Sequence, residues 1–429
     1  MALQIDSLSS AQNSNRNRWR MLLDGQAILP MLAILLLGLA VSIAVAVTVA
    51  NEGPVFAIPF MLAIPAVVLL ARYPFSAVMI WLIVFPFVAR GTSGLAVPVY
   101  YAVHRAMIPG VLWLVLVSSW IGARKRPFAQ FGIAEFVMGL SLLWAIGSIY
   151  ILGEQQLQMM VNLYDRWLVP YCMYWLIRLF APTAEDFKRL LPAAFITLIT
   201  QATIGILSWF VPSTLPKQWL GEAGERVVGT FRNPAVFTTT VIFLALLLFQ
   251  YWINSKSAWR RTLALLIIGL AFFCTFISFS RGSWLGGAFV LLGLTIVYPK
   301  VMLRVEIVGL TLAFLLFSTV LTHEIDFAIQ RLNDQSTVDS RLLTGAKSLG
   351  MIEQKPVFGW GYGNYDRYDD AFRITTIDPS SIKESDHTSH NTYFTIMAEQ
   401  GIQALAFYLF PALWWLLVSL ATWRRLPRQ

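Results

Sequence analysis

The sequence predicts an all-α polytopic membrane protein of about 12 transmembrane helices, with one large loop near its C-terminal end. Three observations predict it. Of 429 residues, 57% are apolar and only 13% charged, a balance that suits a bilayer better than a large water-soluble core. The apolar residues gather in runs of about 17–25, the length a helix needs to cross roughly 30 Å of hydrocarbon. Lys and Arg fall mainly on alternate connections between those runs, as the positive-inside rule requires.

Residues 1–26 are polar and basic ("RNRWR", 16–20), and they read as a cytoplasmic segment. The run at 27–50 is too long for the core of a signal peptide and is expected to be a retained first helix. Runs at 55–71, 74–89, 107–123, 131–152, 167–181, 191–212, 235–253, 262–280, 283–298 and 305–321 complete eleven spans within 27–321. The second and third meet at "ARYP" (71–74), and the sixth is short and begins beside Arg166. Residues 322–398 form the one long loop, 399–422 the twelfth span and 423–429 a cytoplasmic tail. Cys172 and Cys274 both lie inside apolar runs, which argues against a disulfide framework or a CxxC metal site.

With both termini in the cytoplasm, inner segments carry 18 of the 32 basic residues. The short outer loops hold seven, and the remaining seven lie in the long outer loop, which the rule does not count. The net charge of +9 therefore reflects membrane orientation, and nucleic acid need not be invoked.

The long loop has internal order. "RLLTGAKSLGMIEQ" (341–354) places Leu342, Leu349 and Ile352, with Ala346, on one helical face, and it stops ahead of Pro356. A short helix lying on the membrane or on the helix bundle is expected. In "PVFGWGYGNY" (356–365), Gly359, Gly361 and Gly363 alternate, a spacing that shapes the backbone sharply without matching a phosphate-binding GxxxxGK[ST] loop. A structural turn beside aromatic anchors is the simpler reading. Asp366, Asp369 and Asp370 cluster but do not match a calcium loop, so a solvated acidic face is expected there.

Arginines on the outer side oppose the orientation rule and need a reason. Arg281 in "SFSRGSWLG" sits between two apolar runs, where Arg within a membrane helix costs roughly 2.5–3.5 kcal/mol. It either snorkels to headgroups or meets a ligand across the small residues Ser280, Gly282 and Ser283. Arg232 in "GTFRNPAVF" has a similar setting; Arg166 in "LYDRWLVPY" has Asp165 beside it as a neutralising neighbour; Arg341 opens the loop helix. Guanidinium forks bind phosphate oxygens bidentately and keep their charge when partly buried, so such a group suits a lipid-linked pyrophosphate. His387 and His390 stand three apart in "SDHTSHNTYF", without HExxH or an evident third ligand, so no metal is expected. General-base chemistry needs only one imidazole. His390 is the better placed, at the head of "HNTYFTIMAEQGI", a segment with helical pattern leading into the last span; His387 is either a substrate contact or a spectator.

Taken in order, "GTFRNPAVF", "SFSRGSWLGG", "RLLTGAKSLGMIEQKPVFGWGYGNY" and "HNTYFTIMAEQGI" resemble the O-antigen ligase and O-antigen polymerase superfamily, over about residues 160–425. The resemblance implies a GT-C-like, metal-independent glycosyltransferase of the bacterial inner membrane that needs no cofactor. It would move a glycan from undecaprenyl pyrophosphate to an acceptor hydroxyl on the periplasmic side, the acceptor being a lipid A core sugar or a growing glycan. Carried over by motif, His390 would be the base, Arg281 and Arg341 would hold the pyrophosphate, and Arg232 and Arg166 would support them. Ligase and polymerase are not separated by these motifs. From another class, twelve spans also suit a secondary transporter, which predicts ionisable residues near the midplane. Here Glu135 and Glu306 fall near the inner ends instead.

Overall fold

The computed structural model describes residue 70 and residues 73–89, 96–120, 129–152, 155–180, 182–221, 226–231, 233–319, 321–333, 336–372, 389 and 391–423. In chain order the helices are α1 (Phe75–Val88), α2 (Ala96–Trp120), α3 (Ile133–Leu152), α4 (156–180), α5 (Ala184–Phe210), α6 (Pro234–Asn254) and α7 (Ala258–Ile277). There follow α8 (Arg281–Val297), α9 (Pro299–Thr319), α10 (Thr322–Asn333), α11 (Ser336–Gln354), the single turn α12 (Tyr365–Tyr368), α13 (Thr392–Gln400) and α14 (Ile402–Trp423). Among the described residues there is no strand.

Six helices among the described residues are long and apolar enough to cross a membrane: α2, α3, α5, α6, α7 and α14, with α1 and α8 as shorter apolar helices. The expected spans 27–50 and, apart from Leu70, 55–71 lie outside the described residues. Large apolar side chains such as Trp113, Leu143, Leu266, Phe289, Leu310 and Phe314 stand exposed on helical faces. Apolar surface of that extent, on elements whose backbone bonds are closed internally, is suited to hydrocarbon.

Three helices start well before the expected runs, and in each case a polar group has a local partner. α2 begins at Ala96 rather than 107, and α4 at 156 rather than 167. Both contain a π-helical segment, Tyr101–Met107 in α2 and Tyr164–Leu168 in α4. These segments face each other: Arg105 Nε donates to Asp165 Oδ1 at 2.7 Å, and Arg105 Nη2 bonds Asp165 Oδ2. These two charges, which lie just outside the apolar runs, cancel each other within the helices. α5 begins at Ala184 rather than 191, because Thr183 and Asp186 form a reciprocal capping box.

The largest core joins α5, α6 and α7 around Leu198, Phe237, Val241, Leu244, Ala271 and Cys274. A second core joins α1, α2 and α4 around Ile108, Val111, Val169 and Leu176. Gln201 in α5 links the two, bonding Thr230, whose hydroxyl in turn reaches the Pro86 carbonyl at 2.7 Å.

Within the long loop, α11 forms as expected and buries Ile352 of the expected face, but the buried face is turned away from Leu342 and Leu349. Leu343, Lys347, Ser348 and Met351 are buried, whereas Leu342 and Leu349 are 68% and 48% exposed. The polar residues Lys347 and Ser348 are drawn inward by specific partners. Lys347 Nζ pairs with Asp369 Oδ2 at 3.1 Å, and Ser348 shares a hydrogen bond with the Tyr365 hydroxyl at 2.8 Å. Asp369 is therefore buried, not part of a solvated acidic face.

Candidate functional site

The glycine turn and α13 form one interlocked unit. Gly359, Gly361 and Gly363 have φ of +66°, +90° and +80°, and Gly401, between α13 and α14, has +86°. Such values favour glycine, and close approach demands it. A Cβ on Gly359 would lie 2.3 Å from the Glu399 backbone carbon, and one on Gly401 only 1.9 Å from the Val357 oxygen. The amides of the turn are consumed by this packing. Trp360 N donates to Ala398 O at 2.9 Å, Gly361 N to Glu399 O at 2.7 Å, and Ile402 N closes back on Pro356 O at 2.9 Å. Tyr362 N reaches Ser148 Oγ on α3 at 2.8 Å. The alternating glycines thus build a structural turn, as the simpler reading expected, and those amides are occupied.

α13 starts at Asn391, whose side chain accepts from Tyr393 N at 2.9 Å and Phe394 N at 3.4 Å. Ser389 Oγ, in turn, accepts from Asn391 N at 3.2 Å, and Thr344 Oγ1 of α11 lies 3.4 Å from Ser389 O. Position 390 is therefore flanked by two residues fixed between α11 and α13. His390 itself, like His387 and Arg232, lies outside the described residues. Arg232 has the same kind of flank: Phe231 is buried, and Asn233 caps α6 by accepting from Ala235 N at 2.8 Å.

Arg166 and Arg341 stand on two helices that pack against this unit. Arg341 lies one turn before Thr344 on α11 and is exposed. Arg166, on the π-helical segment of α4, is exposed as well, and its neighbour Trp167 packs against Tyr362 of the glycine turn. Asp165, expected to neutralise Arg166, is turned to Arg105 instead. Among the described residues neither Arg166 nor Arg341 has an ion-pair partner. Arg281 is the first residue of α8, after Phe279, which is held at φ +48° with its ring buried against Trp209 and Phe327 of α10. A large non-glycine residue there is strained, at roughly 1–3 kcal/mol, and aromatic packing holds it in place.

Two features escaped the sequence reading. The first is the π–π crossing, where His104 is buried between Trp81 and the Asp165 carbonyl, with Trp81 Nε1 donating to Nδ1 at 3.3 Å and Nε2 facing Asp165 O at 3.3 Å. A neutral imidazole carrying its proton on Nε2 satisfies both contacts. The second is Glu399. Placed by sequence as the first residue of the last span, it instead lies in the last turn of the short helix α13, ahead of the membrane-spanning Ile402–Thr422, and is buried. Burial pushes its carboxyl up to about 7, against the pull of the Gly363 and Tyr365 amides; the neighbouring Asp366 adds to the rise, and Arg166 opposes it. A lone glutamate one residue from Gly401 carried no sequence signal beyond its place in an otherwise apolar stretch.

No curated protein and no solved structure matches the chain. Residues 266–409, from α7 to α14, match the family model described as Wzy_C, O-antigen ligase, a stretch that contains Arg281, Arg341 and position 390.

Proposed function

We propose that the protein is a membrane glycosyltransferase of the O-antigen ligase type, taking a glycan from undecaprenyl pyrophosphate and joining it to a lipid A core sugar at the periplasmic face. The observation that carries this reading is the pair of exposed guanidinium groups, Arg166 and Arg341, without ion-pair partners among the described residues, on two helices that pack against the unit of glycine turn and α13, α4 through Trp167 and Tyr362 and α11 through Thr344 and Ser389. In the reaction the acceptor oxygen attacks the anomeric carbon, and the bond from that carbon to the pyrophosphate oxygen breaks. The hydroxyl proton passes to the His390 imidazole, and undecaprenyl pyrophosphate departs as the anion. Arg281, Arg341, Arg232 and Arg166 neutralise that departing charge. Arg281 opens α8, and Arg232 and His390 each precede the cap of a helix, so helix N-termini add positive partial charge beside three of these groups.

Purified protein given a polyprenyl-pyrophosphate glycan and a lipid A core acceptor tests the reading. Single addition to the core is expected, and His390→Ala abolishes transfer while donor binding persists. Near-normal turnover by that variant would remove the base assignment. Product ladders formed without core acceptor would make the protein a polymerase.

A further inference from the structure

We infer that Glu399 is a positioning residue of the transfer site, its buried carboxylate holding the glycine turn, and with it the α4 surface that carries Arg166, in the arrangement that receives the donor's pyrophosphate. The inference rests on the reading just given for that site. Three elements meet at this carboxylate. From the turn, Tyr365 N donates to Oε1 at 3.2 Å and Gly363 N also bonds the carboxylate. From α4, Arg166 attracts its charge from beyond ion-pair distance, and from α12, Asp366 opposes it. The phenols of Tyr362 and Tyr365 feel its charge as well. The same turn is pressed on α4, where a Cβ at Gly363 would stand 2.1 Å from Met159 Sδ, two turns before Arg166. Moving the turn therefore moves the surface on which Arg166 stands.

Hydrogen bonds to an ionised carboxylate are stronger than those to a neutral one, and only the ionised form attracts Arg166. A group that ionises near pH 7 makes that arrangement depend on pH in the working range. Because Glu399 acts through Arg166 and the turn, its loss affects donor binding more than the chemical step.

The test is steady-state kinetics with a polyprenyl-pyrophosphate glycan, joined to hydrogen–deuterium exchange of residues 356–372, corrected for intrinsic rates. Glu399→Gln is expected to raise the donor KM about tenfold with kcat within about twofold of wild type. In wild type the donor KM rises as pH falls through about 7, and in Glu399→Gln it does not. Combining Glu399→Gln with Arg166→Ala gives no larger defect than Arg166→Ala alone, since one acts through the other. Glu399→Asp, which keeps the charge, retains the pH response and serves if Gln disturbs folding. Exchange in the turn quickens as pH rises toward about 7 in wild type, as the buried carboxyl gives up the proton that the folded turn favours, and is independent of pH in Glu399→Gln. An unchanged donor KM in Glu399→Gln, multiplied defects in the double variant, or a pH-independent turn in wild type would each overturn the inference. If wild type transfers nothing from the polyprenyl donor, the functional reading fails, and the exchange result alone still decides whether Glu399 holds the turn.

Discussion

Arg105 and Asp165 form a two-pronged ion pair across the π-helical segments of α2 and α4, with Nε donating to Oδ1 at 2.7 Å. The pair is partly screened, its side chains 22% and 17% exposed, and the Tyr164 hydroxyl bonds the Arg105 carbonyl beside it. Tyr101 lies against the guanidinium carbon, 4.3 Å from ring centroid to Cζ. Removing either charge leaves the other in a half-buried aromatic setting. Asp165→Ala and Arg105→Ala are each expected to lower thermal stability in detergent. The double variant should lose less than the sum, with a coupling of about 1–2 kcal/mol, between the values for exposed and buried pairs. Strict additivity would show the pair to be energetically idle.

The glycine turn offers a sharper contrast. Gly359→Ala and Gly401→Ala each place a methyl on backbone atoms and at a positive φ. Both are expected to lower the melting temperature strongly or abolish folding, since a rigid backbone cannot yield as a flexible side chain does. Gly286→Ala on α8, where nothing lies within 4 Å, is the control. It should be neutral or stabilising by up to about 1 kcal/mol. Equal behaviour of the three variants in a thermal-shift assay would contradict this packing.

How much of this was legible in the sequence depended on range. Apolar runs placed α1, α3, α6, α7, α8 and α14 within a few residues, because membrane insertion reads local hydrophobicity. The apolar runs begin only after Arg105, Asp165 and Asp186, whereas α2, α4 and α5 start before them, because the partners of these charges lie 60 residues away or within a cap, beyond a local reading. The buried face of α11 was missed for a related reason. Leu342 and Leu349 fit the apolar period, but a Lys347–Asp369 pair and a Ser348–Tyr365 bond turned the other face inward. Among the proposed site residues, Arg166 and Arg341 stand out in the sequence as charges out of place, whereas Glu399 acquires its character from burial alone.

Gln400, next to Glu399, is 1% exposed, and its side-chain oxygen and nitrogen have no hydrogen-bond partner among the described residues. Leaving such atoms buried costs about 1–3 kcal/mol each. Gln400→Met, close in shape and apolar, is expected to raise the melting temperature. If the amide serves the bound substrates, the same variant loses transfer activity as it gains stability. A loss of both would indicate that the amide has a partner in the resting protein.

Arg166 and Arg341 differ from buried structural arginines in that their heads are exposed. Arg166→Ala and Arg341→Ala should raise the donor KM by about 10-fold each, at little cost in melting temperature. Lys at either position should recover only part of the loss, since an ammonium lacks the planar fork that grips two phosphate oxygens. Full rescue by Lys would mean that charge alone suffices.

Glu399 makes the stability of the protein depend on pH in a direction opposite to that of a salt-bridged carboxylate. Its ordinary value is 4.5, and burial raises it to about 7 in the folded chain. Between those values the folded state keeps a proton that the unfolded state has lost, so stability falls as pH rises through this window and levels off above it. The full effect is about 3 kcal/mol at most. Gln at this position carries no such proton. The melting temperature of Glu399→Gln relative to wild type should therefore increase from pH 5 to pH 8, even as donor binding weakens. A difference that stays constant across that range would mean that Glu399 ionises alike in the folded and unfolded chain, and the carboxylate would then not be desolvated where α13 meets the glycine turn.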